Sequence, residues 1–413
     1  MTIVVGAGLA GLTCAKVLAE AGRPFLLLES ASSLGGRVVS ECSREGFVLD
    51  RGFQVLLDSY PAARRHLDFA ALDAGRFRSG AMFVGGGPPR VLENPLRRPA
   101  AAPGILRGDV LSVADQLRLL RLVALAYVPG AGADLSTAEL LRSQQFSEEF
   151  FTRFARPFFG GVLLDPELAT SAALFLSYLR RFVTGQALLP GKGIGVIPAQ
   201  LASRLPAQSV RYGAPVEQIV IESGRACGVR VKGGDVIRAQ HVVLAVDEPA
   251  VCRLVGSGCP RAARSTAAHY FAADRAAYSG GWLCLPPRRP ESPVLHAALV
   301  SNVAPGLAPE GAHLWSVTVL PGHPRAEDAD AVAAEVASWF GAAAGTLRHL
   351  SLVKVPYAVP EQLPGFERRP APWGALPPGL FVAGDAACGA SVDAVMVSGE
   401  VTAKKVISSA ALN

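Results

Sequence analysis

The feature that most constrains this chain is one continuous unit at residues 3–29. Ile3-Val4-Val5 reads as a short apolar strand and runs straight into Gly6-Ala7-Gly8-Leu9-Ala10-Gly11. An apolar helical pattern continues to Gly22, Phe25-Leu26-Leu27-Leu28 reads as a second strand, and Glu29 follows it. Strand, glycine turn, helix, strand and acid in that order open a parallel α/β dinucleotide-binding sheet. Each glycine has a physical task. Gly6 permits a tight turn, Gly8 lets backbone N–H groups approach a pyrophosphate, and Gly11 lets the helix lie close on the strand. The pyrophosphate is expected at the positive helix end, along residues 6–11. Glu29 stands 18 residues after Gly11, where a carboxylate accepts from a ribose hydroxyl, with Ser30 beside it.

Leu34-Gly35-Gly36-Arg37 comes directly after the acid. Here the chain resembles the superfamily of flavin-containing amine oxidases, phytoene desaturases and protoporphyrinogen oxidases. The resemblance implies FAD, held non-covalently. Gly35 and Gly36 would allow close approach, and the Arg37 guanidinium would face the pyrophosphate. Two further stretches carry the same resemblance. Leu380-Phe381-Val382-Ala383 is a short apolar strand ending in Gly384-Asp385, followed by a helical pattern from Val392. By resemblance Asp385 contacts the ribityl or phosphate region, and Val392, Asp393 and Ala394 place a helix N-terminus at the flavin pyrimidine. Such a terminus stabilises negative charge by about 1 kcal/mol. Asp50-Arg51-Gly52-Phe53-Gln54 matches a segment that passes close to the flavin ring, with Gly52 permitting backbone approach. Phe53, Gln54 and Tyr357 are the candidates for lining the ring and the substrate. Gln54 serves either a substrate polar atom or its own loop backbone; Tyr357 lines the cavity or packs as a core residue. Val216 is carried over as a backbone contact to the adenine. Residues 188–195 resemble a segment that roofs the active site.

Departures from the family narrow the chemistry. Amine oxidases commonly place a lysine near the flavin, yet this chain has no lysine between Lys232 and Lys354. Residues 382–402 contain no aromatic of the kind that flanks an amine. Both absences favour an FAD-dependent oxidoreductase of the desaturase-like branch. It would take hydride from a C–H bond of an apolar, isoprenoid or polycyclic substrate to flavin N5, with oxygen or a quinone as electron acceptor. An amine or amino-acid oxidase with a divergent site is the first alternative, and a non-redox flavoprotein such as an isomerase the second. No second glycine fingerprint announces a nicotinamide site, because Pro88-Pro89 break any helix after Gly85-Gly86-Gly87.

A chain of 413 residues exceeds what one core usually supports, so two domains are expected. Residues 1–57, 190–250 and 377–413 read as a Rossmann-like FAD domain of the glutathione-reductase type. Residues 58–189 and 251–376 read as a mixed α+β substrate domain, the first insert mostly helical, with capping-box spacing at Ser112–Asp115 and Ser136–Glu139, while Gly233-Gly234 in the cofactor domain reads as a hairpin turn. Seven scattered cysteines without a CxxC pair, and seven dispersed histidines, give no disulfide framework and no metal site. Net charge is +6, and 34 of the 40 basic residues are Arg, spread as on a solvated surface rather than a nucleic-acid groove. One concentration stands out, Arg90, Arg97, Arg98, Arg107, Arg118 and Arg121 among apolar residues. It reads as a membrane-facing surface or as a solvent-exposed helical face, the latter favoured. No apolar run reaches the roughly 18 residues of a spanning helix. Residues 3–5 already belong to the first strand, which leaves no room for a signal peptide, so a cytoplasmic location is the expectation.

Overall fold

The computed structural model describes residues 1–94, 97 and 110–409; Arg98 and Arg107 of the basic stretch lie outside them. A five-stranded parallel sheet forms the first layer. Its order is Val210–Arg211, Phe25–Leu28, Thr2–Val5, His241–Leu244 and Leu380–Val382. Thr2–Val5 and His241–Leu244 are buried along their whole length, as continuous apolar runs must be when both faces are covered. Helices Leu9–Glu20 and Val392–Ser409 pack against each other on one face. Gly399 permits that approach, because a Cβ there would lie 2.3 Å from the Ala10 carbonyl oxygen. On the other side of the sheet, Val216–Glu222, Arg225–Val231 and Val236–Arg238 form an antiparallel three-stranded sheet, with the expected Gly233-Gly234 hairpin.

The second layer is a seven-stranded sheet, ordered Leu347–Pro360, Ala263–Ala273, His313–Val319, Val294–Leu299, Leu283–Leu285, Gly80–Phe83 and Arg90–Glu93. The last two strands come from the first insert, so that insert is less helical than the sequence pattern suggests. Gly80–Phe83 and Arg90–Glu93 are short and joined by a Gly/Pro-rich turn, which hides an edge hairpin from periodicity. Most of the other described residues of the insert are helical, apart from Gly75–Arg76 and Ala187–Leu189, which pair in a small three-stranded sheet with Leu56–Leu57. Ser112 caps Val113–Leu125 through the Asp115 N–H, and Ser136 with Glu139 forms a capping box on Thr137–Ser143, both as the spacing predicts. Phe151–Phe159 is a π-helical stretch containing Pro157, whose missing N–H cannot serve a regular α-ladder.

Packing does not follow the expected boundary at residue 57. Tyr60, Ala62, Ala63, Leu67 and Leu72 join the core beneath helix Leu9–Glu20, together with Leu188, Ile194 and Ile197.

Candidate functional site

The glycine turn takes the geometry its sequence requires. Gly6 has φ +99°, and a Cβ there would meet the Ala245 carbonyl oxygen at 2.6 Å. A Cβ on Gly11 would lie 1.9 Å from the Gly6 carbonyl oxygen, so this residue serves packing and does not face the cavity. Gly8 differs. Its φ is −73°, and a Cβ there would meet nothing within 4 Å. Glycine at this position keeps a cavity open; it does not relieve strain. Helix Leu9–Glu20 begins there with no side-chain cap and no acid in its first turn. The capped helices of the insert contrast with this: here the first N–H groups are left to a ligand.

These residues form one wall of a cavity of about 680 Å³, within the range of ligand sites. Gly6, Gly8, Leu9, Ala10, Glu29, Ser30, Gly35, Gly36, Arg37 and Val216 line its nucleotide end, and Gly52, Phe53, Gln54, Tyr357, Gly384, Asp385 and Val392 continue it. Ala7 is turned away from it. Its N–H instead donates to Glu29 at 2.7 Å, while Ser30 and the Ala31 N–H donate to the other Glu29 oxygen. The carboxylate is thus oriented by three donors while it borders the cavity.

Arg37 donates to Asp385 at 2.6 Å and to the Ala358 carbonyl at 2.7 Å, and lies 5.8 Å over the Tyr357 ring. Burial disfavours the Arg37 charge, but the bond to and charge of Asp385 outweigh it and raise the pKa. The two residues, 348 positions apart, meet across the cavity wall. The Tyr357 hydroxyl is buried without a hydrogen-bond partner among the described residues, and burial, then Asp385, push its pKa up.

Several expectations are corrected here. Asp393 and Ala394 do not line the cavity. The Asp393 carboxylate accepts from the Ala62 N–H at 2.6 Å, at the start of helix Pro61–His66. The Ala394 N–H is taken by the Ser391 hydroxyl. Of the three helix-start residues, Val392 alone faces the cavity, joined by Val395. The Gln54 amide donates to the Arg37 and Arg51 carbonyls, so it staples its own loop although it borders the cavity. Residues 188–195 do not roof the site. The Ile194 N–H donates to Asp50 and the Gly195 N–H to Ser40, bracing the ring-side loop from behind.

Asp50 is the buried post of that brace. Ser40 donates to it at 2.6 Å, and the Tyr270 hydroxyl donates to its backbone carbonyl. Burial nevertheless raises its carboxyl to about 6. Behind Phe53 lies His296, with ring centroids 5.1 Å apart. Neither His296 nitrogen has a well-aligned hydrogen bond among the described residues, and burial, opposed by the nearby Pro157 carbonyl, lowers its pKa to about 4.

Sequence reasoning missed Leu164, Asp247 and Thr266, which also line the cavity. Asp247 had a signal: it follows an apolar strand, precedes Pro249, and caps the next helix through the Ala250 N–H. Leu164 and Thr266 had none, since only the tertiary fold brings them to the ring end. No lysine lines the cavity. Lys354 pairs outward with Glu327 at 2.6 Å. The Cys388 thiol is held by the Gly384, Gly389 and Ala394 carbonyls, and burial, then Asp385, push it up to about 12.

Residues 9–407 match the family model for flavin containing amine oxidoreductases. Among curated proteins, 15-cis-phytoene desaturase of Narcissus pseudonarcissus is 44% identical over 59 residues, 14% of this chain. That match spans about a tenth of the curated relative's length, 10%. Among solved structures, an oxidoreductase from Methanosarcina mazei superposes with a TM-score of 0.72 at 20% identity, covering 98% of this chain and 99% of its own. Putrescine oxidase bound to putrescine does so with a TM-score of 0.73 at 17% identity, covering 98% of each chain. At such identities the structural likeness establishes the fold.

Proposed function

The chain belongs to the flavin containing amine oxidoreductase family, and from that premise we propose that it binds FAD non-covalently and desaturates or oxidises an apolar substrate at a C–H bond. The residues fit the cofactor. Gly8 and Gly36 leave the wall open where a diphosphate needs backbone donors, and Glu29 is set for a ribose hydroxyl. Arg37, although paired with Asp385, borders the same cavity with its side chain 36% exposed. The held and deprotonation-resistant Cys388 supports non-covalent binding. When bound, FAD supplies a two-electron acceptor for a hydride leaving carbon, and oxygen or a quinone then takes the electrons.

The chain's own share is to orient and to exclude water. The observation that carries the substrate reading is the composition of the ring end. Phe53, Leu164, Thr266, Val355, Tyr357, Val392 and Val395 border it and no lysine does; the polar Gln54 and Asp385 beside them are tied to protein partners. Such a wall holds an apolar carbon skeleton against the acceptor and keeps water out. It offers no amine-site lysine, and the one lysine of the neighbouring strand points to solvent.

The test is anaerobic bleaching of the holoprotein. One panel contains isoprenoid lipids and porphyrinogens in detergent, the other polyamines and amino acids. Bleaching by the first panel is expected. Bleaching by the second alone overturns the substrate reading in favour of an amine oxidase. Product formation without net flavin turnover points to a non-redox flavoprotein.

A further inference from the structure

Helix Val113–Leu125 is apolar on two opposite faces. Leu119, Leu122, Val123 and Leu125, with Ala126 after the helix, pack inward on the aromatic core of the insert. Outward, Val113 is 41% exposed, Leu117 55%, Leu120 52%, Tyr127 52% and Val128 54%. Spacings of four, three and seven put the first four of these on one stripe, which Ala124 completes. Fourteen large apolar side chains are exposed among the described residues, and these five fall within sixteen positions. An apolar helix face is normally buried against another element. The outer face here is not, so it calls for an occupant.

The charges choose that occupant. Asp115 is the one carboxylate of residues 113–128, and it is buried and tied to Ser112, Ser147 and Arg118. Arg121 stands exposed at the stripe's edge with no ion pair among the described residues. Arg97 is also exposed, although it donates to the Thr184 carbonyl. Tyr127 closes the stripe with a ring and a hydroxyl, suited to a boundary between apolar and wet layers. No described helix is long and apolar enough to cross a membrane.

We propose that helix Val113–Leu125 and its following turn lie flat on an anionic lipid surface, burying Val113, Leu117, Leu120, Tyr127 and Val128 below the headgroups with Arg121 among the phosphates. The helix packs on Ala172–Thr184, whose Tyr178 hydroxyl donates to the carbonyl of the cavity residue Ala390. The docked face is therefore one helix removed from the cavity. The proposal stands apart from the reading of the cavity, since vesicle binding and flavin bleaching fail separately.

The purified protein is sedimented with phosphatidylcholine vesicles and with vesicles containing phosphatidylglycerol. Binding to the anionic vesicles is expected, at least about tenfold weaker in the Leu117→Glu/Leu120→Glu double variant. That variant should keep wild-type flavin content, because neither residue touches the cavity. Arg121→Glu should reduce binding to the anionic vesicles and leave the weaker phosphatidylcholine binding alone. The proposal is overturned if wild type stays in the supernatant or if the double variant sediments like wild type. It is equally overturned if the stripe proves to be a dimer contact, with wild type dimeric, the double variant monomeric, and neither bound to lipid.

Discussion

At one end of the cavity the wall is drawn mainly from the first 37 residues, a glycine turn, an acid and a Gly-Gly-Arg segment. At the other end it is assembled from residues 52–54, 164, 266, 355, 357–359, 390–392 and 395, which no stretch of sequence unites. The first end is backbone and charge, the second mostly apolar side-chain surface. Backbone recognition needs fixed glycine positions, so it leaves a readable sequence pattern. An apolar wall needs only bulk and shape, so many residue types serve and no pattern survives. The more legible end is accordingly the one that binds the part shared with other dinucleotide enzymes, and the less legible end is the one expected to set substrate choice.

Substitutions sharpen this contrast. The largest effect is expected from Gly11→Val. Its Cβ would overlap the Gly6 carbonyl, separating helix from strand, at a cost of about 4 kcal/mol or more. Loss of soluble, folded protein in a circular dichroism melt checks it; a normal melt contradicts the close-packing role.

The brace behind the ring end should appear as pH dependence. Asp50 has its carboxyl raised to about 6 in the fold, above the unfolded value of 3.8. It therefore adds stability as pH falls from 6 towards 4, by about 3 kcal/mol. His296 is lowered to about 4 from 6.5, so the fold loses a similar amount as pH falls from 6.5 towards 4. The two contributions oppose each other in one window. Asp50→Asn should make stability fall more steeply on acidification, and His296→Leu should make it fall less. Parallel denaturant melts at pH 4 and pH 7 separate them; unchanged pH slopes in both variants would contradict the buried charges assigned here.

Smaller effects test the acid and the unpartnered hydroxyl. Glu29→Gln keeps one acceptor for the Ala7 N–H but loses the charge, so FAD affinity should drop about tenfold with the fold intact, read by flavin titration. Tyr357→Phe removes a hydroxyl that finds no hydrogen-bond partner among the described residues. Thermal stability should change by less than about 1 kcal/mol, while turnover changes if the hydroxyl meets substrate.

The same contrast explains what could be read beforehand. The caps at Ser112 and Ser136 and the Gly233-Gly234 hairpin follow from local rules, because each is decided within a few residues. Asp393 was read as a flavin-facing residue because motif position locates a helix start but not the direction of each side chain. Its carboxylate found the bare N–H of Ala62 on helix Pro61–His66, itself placed with the first core against the expected boundary. The Arg37–Asp385 pair and the Asp50–Ile194 brace each join positions more than a hundred residues apart, a separation no local pattern encodes.

The most direct test of the central claim, that the glycine turn opens this cavity for FAD, is the flavin released by heat from wild type and Gly8→Val. A Cβ there meets no protein atom within 4 Å, so the substitution should not unfold the chain, while the added methyls fill the space beside the helix start. The account predicts about one FAD per wild-type chain, freed into the supernatant, and less than about a tenth of that from a normally folded Gly8→Val. Full FAD content in Gly8→Val, or flavin that stays with the wild-type precipitate, would contradict it.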